Sequence, residues 1–127
     1  MSFSMGNTFI NKSLPNLPEH LWVIISNVKR PSNEVVIINF TTFDSRKDSS
    51  CVLDKSEHPF VKHRTSVNYY EARIVSSETL TQLESYGSIT RKEDLNDEVL
   101  AKILEGAAIS PFLKLGIRKF LEDQNLI

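Results

Sequence analysis

Glu57-His58-Pro59-Phe60-Val61-Lys62-His63-Arg64-Thr65-Ser66 is the densest polar cluster of the chain and holds two of its three histidines, with Lys62 and Arg64. Histidine exchanges a proton near neutral pH, and the guanidinium fork of arginine can hold a phosphate or a developing phosphorane. Together these residue types suit cleavage of a phosphodiester. The structural alternative is a surface loop whose histidines cap turns or pair with Glu57 and Asp54. Thr41-Thr42 stands where an apolar run stops, so at least one hydroxyl should be exposed at the rim of a sheet, where sites tend to be built; ordinary β-branched strand propensity would also place threonine there. Cys51, His58 and His63 are all zinc-binding types, but their spacings match no zinc pattern and no fourth ligand follows, so no metal is expected. Four unclustered glycines give no phosphate loop, and no cofactor is expected.

The chain that must position these groups has 127 residues, 40% hydrophobic and 24% charged, the length and composition of a single globular domain, 1–127. A formal charge of -1 excludes a protein that coats nucleic acid by bulk charge, though not a local basic groove. Residues 1–70 hold 8 Lys/Arg against 6 Asp/Glu and residues 71–127 hold 7 against 10, so an anionic ligand should prefer the first half. No apolar run is long enough to span a bilayer, the N-terminus lacks the features of a signal peptide, and the one cysteine cannot form an internal disulfide. A cytoplasmic protein without a membrane partner is expected.

Periodicity gives the elements. Thr8-Phe9-Ile10 reads as a short strand and Asn11 to Pro18 as a long loop. Leu21 to Ile25 and Val35 to Phe40 are continuous β-branched runs, the pattern of central strands covered on both faces, with a hairpin turn over Asn27 to Glu34. Trp22 belongs to the core by its neighbours. A short strand follows at Ser50 to Leu53, then one from Thr65 to Val75 with Val67, Tyr69, Ala72 and Ile74 inward and a bulge near Tyr70-Glu71. Arg73 must face solvent or be paired there. Past Val75 the period becomes helical: Ser76 or Ser77 caps a helix that Gly87 ends, Asn96 caps a longer one, and Ser110-Pro111 starts a third that docks through Phe112, Leu115, Phe120 and Leu121. The fold class expected is mainly β with C-terminal helices (α+β), a small antiparallel barrel over about 6–76 and a helical part over about 77–127.

The order of these parts resembles the PemK/MazF family of toxins in bacterial toxin-antitoxin systems. The resemblance covers about residues 6–107 and lies in His20-Leu21-Trp22-Val23-Ile24-Ile25-Ser26, Val35 to Thr42, and Ser66-Val67 leading to Ala72-Arg73-Ile74-Val75. It implies an SH3-like barrel, a homodimer, a small antitoxin as partner, and metal-independent endoribonuclease activity on single-stranded RNA. Thr41 or Thr42 would then line the active site, and Lys12 would be the basic group of the loop after the first strand. Apart from what the family implies, His58, His63 and Arg64 are candidates to replace that basic group, a histidine taking the proton from the ribose 2′-OH and Arg64 stabilising the phosphorane. RNA would further meet Lys62 and Arg73. His58-Pro59-Phe60-Val61-Lys62-His63 is also similar to a segment of other bacterial proteins of this layout with no assigned activity. A non-catalytic SH3-like module that recognises a protein partner is therefore the alternative.

Overall fold

The computed structural model describes residues 2–11 and 20–127. The elements formed by these residues are β1 (Thr8–Asn11), β2 (Leu21–Ile24), β3 (Glu34–Thr42), β4 (Val52–Leu53), β5 (Thr65–Ser76), α1 (Ser77–Ser85), β6 (Ile89–Lys92), α2 (Asp97–Ile109) and α3 (Leu115–Asp123). Every strand pairing is antiparallel, in the order β4-β5-β3-β2-β1-β6. The sheet curls into a half-barrel, and the architecture is the mainly-β, α+β class that the periodicity predicts. Lys12 and the loop expected up to Pro18 lie outside the described residues, while Asn11 ends β1.

The unbroken apolar runs of β2 and β3 follow from cover on both faces. Leu21, Val23, Val36, Ile38 and Phe40 enter one core with Ile103 and Ala107 of α2 and Phe120 and Leu121 of α3. Trp22, Ile24, Val35 and Ile37 alternate with them and enter a second core with Phe3, Phe9, Ile89 and Leu80 of α1. Removing each such side chain from water contributes about 1.5–3 kcal/mol, which is why these two strands, and not the charged segments, form the middle of the sheet.

β5 carries the expected irregularity. Its register with β3 jumps from Asn39↔Asn68 to Ile37↔Arg73, so residues 69–72 stand opposite Ile38 alone. Val67, Tyr69 and Ala72 are buried, but Ile74 keeps 37% exposure. β4 pairs only with Thr65 and Ser66, which leaves the rest of β5, Ile74 included, on an open edge.

Ser76 caps α1 through Glu78 N–H, Gly87 follows it at φ +78°, and Asn96 caps α2 through Val99 N–H, as the sequence predicts. One expectation is corrected, and one element is added: β6 carries no periodic signal in the sequence because it is a short edge strand whose one buried residue is Ile89. The third helix starts at Leu115 and not at Ser110-Pro111, because Ser110 caps α2 and its hydroxyl is taken by Asp48 and by Phe112 N–H. Phe120 and Leu121 dock as expected, whereas Phe112 and Leu115 are exposed. Among the described residues no helix is long and apolar enough to cross a membrane.

Candidate functional site

The cover over β3 ends at Phe40. Thr41 is half-buried and Thr42 exposed, so the strand runs out of the core into a cleft of about 350 Å³ lined by His20, Phe40, Thr41, Thr42, Lys47, Phe60, Val61, His63 and Thr65. Three segments bring polar groups to this strand end, and each has a local reason.

The first is the turn after β3. Asp44 accepts from Arg46 N–H through its side chain and from Lys47 N–H through its carbonyl, which folds the chain back over the strand. The Arg46 backbone N–H and nearby cations hold the Asp44 carboxyl below its ordinary range against the opposing effect of desolvation. Lys47 Nζ then donates to Thr41 Oγ1 at 3.0 Å and to Thr42 C=O at 2.8 Å. Asp48 anchors the end of the turn: its carboxylate accepts from Ser50 and Ser110, and its carbonyl accepts from Ser66.

The second is the loop 57–64. His58 is 3% exposed, and its Nδ1 accepts from Phe60 N–H at 3.0 Å, so the proton sits on Nε2, which donates to Glu93 C=O at 2.6 Å. Buried Val61 is a second pin, its N–H bonded to His58 C=O. With 58 and 61 fixed inward, Phe60, Lys62, His63 and Arg64 are turned outward. His63 Nε2 lies 2.9 Å from Thr42 Oγ1.

The third is the start of β2. The register Trp22↔Asn39 continues to set His20 beside Thr41, and His20 Nδ1 lies 3.1 Å from Phe40 C=O. A carbonyl only accepts, so Nδ1 is the donor in this contact and Nε2 is the nitrogen left to exchange a proton with a ligand.

The expected residues therefore separate. His63, Thr41 and Thr42 converge. His58 does not: both ring nitrogens are spent on holding the loop, the turn-capping role that was its alternative. Arg64 lies outside the cleft in an exposed pair with Asp54 at 3.7 Å. Arg73 is opposite Ile37, about 13–17 Å along the strand from Thr41-Thr42 at the usual rise per residue. Its exposed guanidinium lies over Trp22 and near Glu71. Lys62 is exposed beside the cleft, with Pro59, Phe60, Lys92 and Glu93 around a smaller depression of about 250 Å³. A second depression, also about 350 Å³, shares Thr41 and Lys47 with the cleft and continues to Arg46, Asp48, Ser66, Asn68, Tyr70 and Phe112.

His20 and Lys47 are the groups that sequence reasoning missed. The signal for His20 was the hairpin register, which pairs the residue before β2 with the end of β3. That for Lys47 was the Asp44 turn. The described residues hold no group of three or more His, Cys, Asp or Glu placed to bind a metal ion. Cys51 is buried, and desolvation, partly offset by its polar contact with the Tyr69 hydroxyl, pushes its thiol up to about 11. Two imidazoles, an ammonium and two hydroxyls in one cleft can take a proton, give one, and stabilise negative charge. No family model matches the sequence, and no curated protein matches it significantly.

Proposed function

We propose that this protein is a metal-independent endoribonuclease that cleaves single-stranded RNA, a PemK/MazF-like toxin of bacterial cytoplasm held in check by a small antitoxin. The half-barrel is read as an SH3-like barrel that works as a homodimer. The observation that carries the proposal is His63 Nε2 at 2.9 Å from Thr42 Oγ1, in the cleft that also holds His20 and Lys47.

The chemistry needs a base, a cation and an acid. With Nε2–H of His63 donated to Thr42, the lone pair of Nδ1 takes the proton from the ribose 2′-OH. The 2′-oxygen attacks the adjacent phosphorus, and Lys47 stabilises the charge that gathers on the phosphorane oxygens. His20, protonated at Nε2, gives its proton to the departing 5′-oxygen as the P–O5′ bond breaks. The products are a 2′,3′-cyclic phosphate and a 5′-hydroxyl, with no water or metal consumed in the step. Lys47 takes the place given to Arg64 by the sequence, and His20 supplies an acid to which the sequence reading assigned no residue.

Incubating the purified chain with single-stranded RNA in EDTA tests this directly. Cleavage leaving cyclic phosphate ends is expected, with losses of roughly 100-fold or more in His63→Ala and in Lys47→Met. Growth arrest on expression alone should disappear in the same variants. RNA left intact and growth unaffected would favour a non-catalytic module that recognises a protein partner, the second reading, which the exposed rings of Tyr70 and Phe112 beside the cleft support.

A further inference from the structure

Tyr70 and Phe112 are 61% and 52% exposed, and both line the depression that continues from the cleft through Thr41 and Lys47. Two exposed rings lining one depression among polar residues form the kind of apolar patch that marks a binding groove. Around them stand Arg46, with 89% of its side chain exposed, Lys47, and Lys114, whose ammonium lies 5.2 Å from the Tyr70 ring centre. Among the described residues Asp48 is the one acid lining the depression, and its carboxylate is turned to the hydroxyls of Ser50 and Ser110. Asn68 makes no hydrogen bond through its side chain to another described residue, so its amide keeps two donors and an acceptor for a ligand.

We infer that this depression takes one unstacked nucleobase of single-stranded RNA, the neighbour of the nucleotide cleaved, laid against Tyr70 and Phe112, with Arg46 and Lys47 on its phosphates and Asn68 on its base edge. The inference rests on the RNA reading of the adjoining cleft and adds a subsite to it. Base–aromatic stacking with flanking cations is the way proteins hold single strands, and a duplex cannot present a base face to a ring. A second copy of the chain fits less well. A two-fold contact here would set Arg46, Lys47 and Lys114 against their own copies.

The test uses a 2′-O-methyl oligonucleotide, which binds without offering a 2′-OH, carrying 2-aminopurine at successive positions. With the unaltered protein, fluorescence at one position should be quenched on binding. Tyr70→Ala and Phe112→Ala should each weaken binding by roughly 5- to 100-fold and relieve that quenching, while Tyr70→Phe keeps both. Both residues are surface rings, so circular dichroism should report the same fold in each variant. If the unaltered protein binds the oligonucleotide but neither alanine variant changes affinity or quenching, the subsite is overturned and the RNA reading stands. If the unaltered protein binds no RNA, the RNA reading itself fails. A dimer by sedimentation that Phe112→Ala dissociates, with RNA binding unchanged, would assign the rings to a second copy and also overturn the subsite.

Discussion

His58 and His63 share one loop and have opposite environments. His58 is a buried ring with both nitrogens bonded, so His58→Ala should destabilise the fold by about 1–3 kcal/mol in urea unfolding while leaving the activity of folded molecules nearly intact. His63→Ala should do the reverse, leaving the unfolding midpoint within a few tenths of a kcal/mol and removing cleavage. Equal loss of activity in the two variants would contradict the division of roles. Cys51 is a third test at this scale. A buried thiol with its pKa pushed up to about 11 stays protonated at neutral pH and should resist alkylation until the protein unfolds. Which histidine is which could not be read from the sequence, because inward and outward positions in the loop 57–64 follow from where Glu93 lands, thirty-five residues after His58.

Helix α2 approaches the sheet at Gly106. A Cβ there would come within 2.2 Å of Tyr69 Oη and 2.9 Å of Ser50 C=O, neither of which is free to yield: Tyr69 donates to Ile103 C=O inside the core. Gly106→Ala should therefore cost about 1–3 kcal/mol, despite alanine being the better helix former. Gly116, in α3, has nothing within 4 Å of its Cβ position, and Gly116→Ala should gain up to about 1 kcal/mol. Thermal or urea unfolding of both variants checks the contrast. The central strands, two helix caps and the bulge were legible because each is written locally, in β-branched runs, Ser76, Asn96 and a break in alternation. β6 was not, since its place beside β1 depends on long-range pairing and only Ile89 is apolar and buried. The cleft was half legible for the same reason: Thr41 and Thr42 announce a strand end, but the partners that meet them there come from three separate segments.

For the molecule as a whole, charge is the scale-setting quantity. The net charge is -1, yet Arg46, Lys47, Lys62, Lys92 and Lys114 line or flank the cleft and its two neighbouring depressions. If these contact about three phosphates, the slope of log K against log salt for single-stranded RNA should be near -2, and Lys47→Met should reduce it by about 0.7. A slope near zero would show that binding, if any, is not by this track. Elsewhere the Glu57–Lys102 pair closes the base of the loop on α2. Burial, the largest single effect, raises the Glu57 pKa, but the hydrogen bond and charge of Lys102 together with the Asp54 backbone N–H outweigh it and the net shift is downward. Its contribution, below about 1 kcal/mol, is therefore complete above the carboxylate range of the unfolded chain and fades as pH falls through the folded value; Lys102→Met should narrow the acid side of the stability profile.

The carbonyl of Glu93 accepts from two directions, the hydroxyl of Thr8 on β1 and the ring of His58, each at 2.6 Å. Strand β1, the residue that follows β6 and the mid-chain loop are thus tied at a single oxygen. A nascent chain would carry no formed cleft until residue 93 had left the ribosome and β6 had closed on β1. Whatever the cleft does therefore waits on a residue that lies outside all three segments lining it.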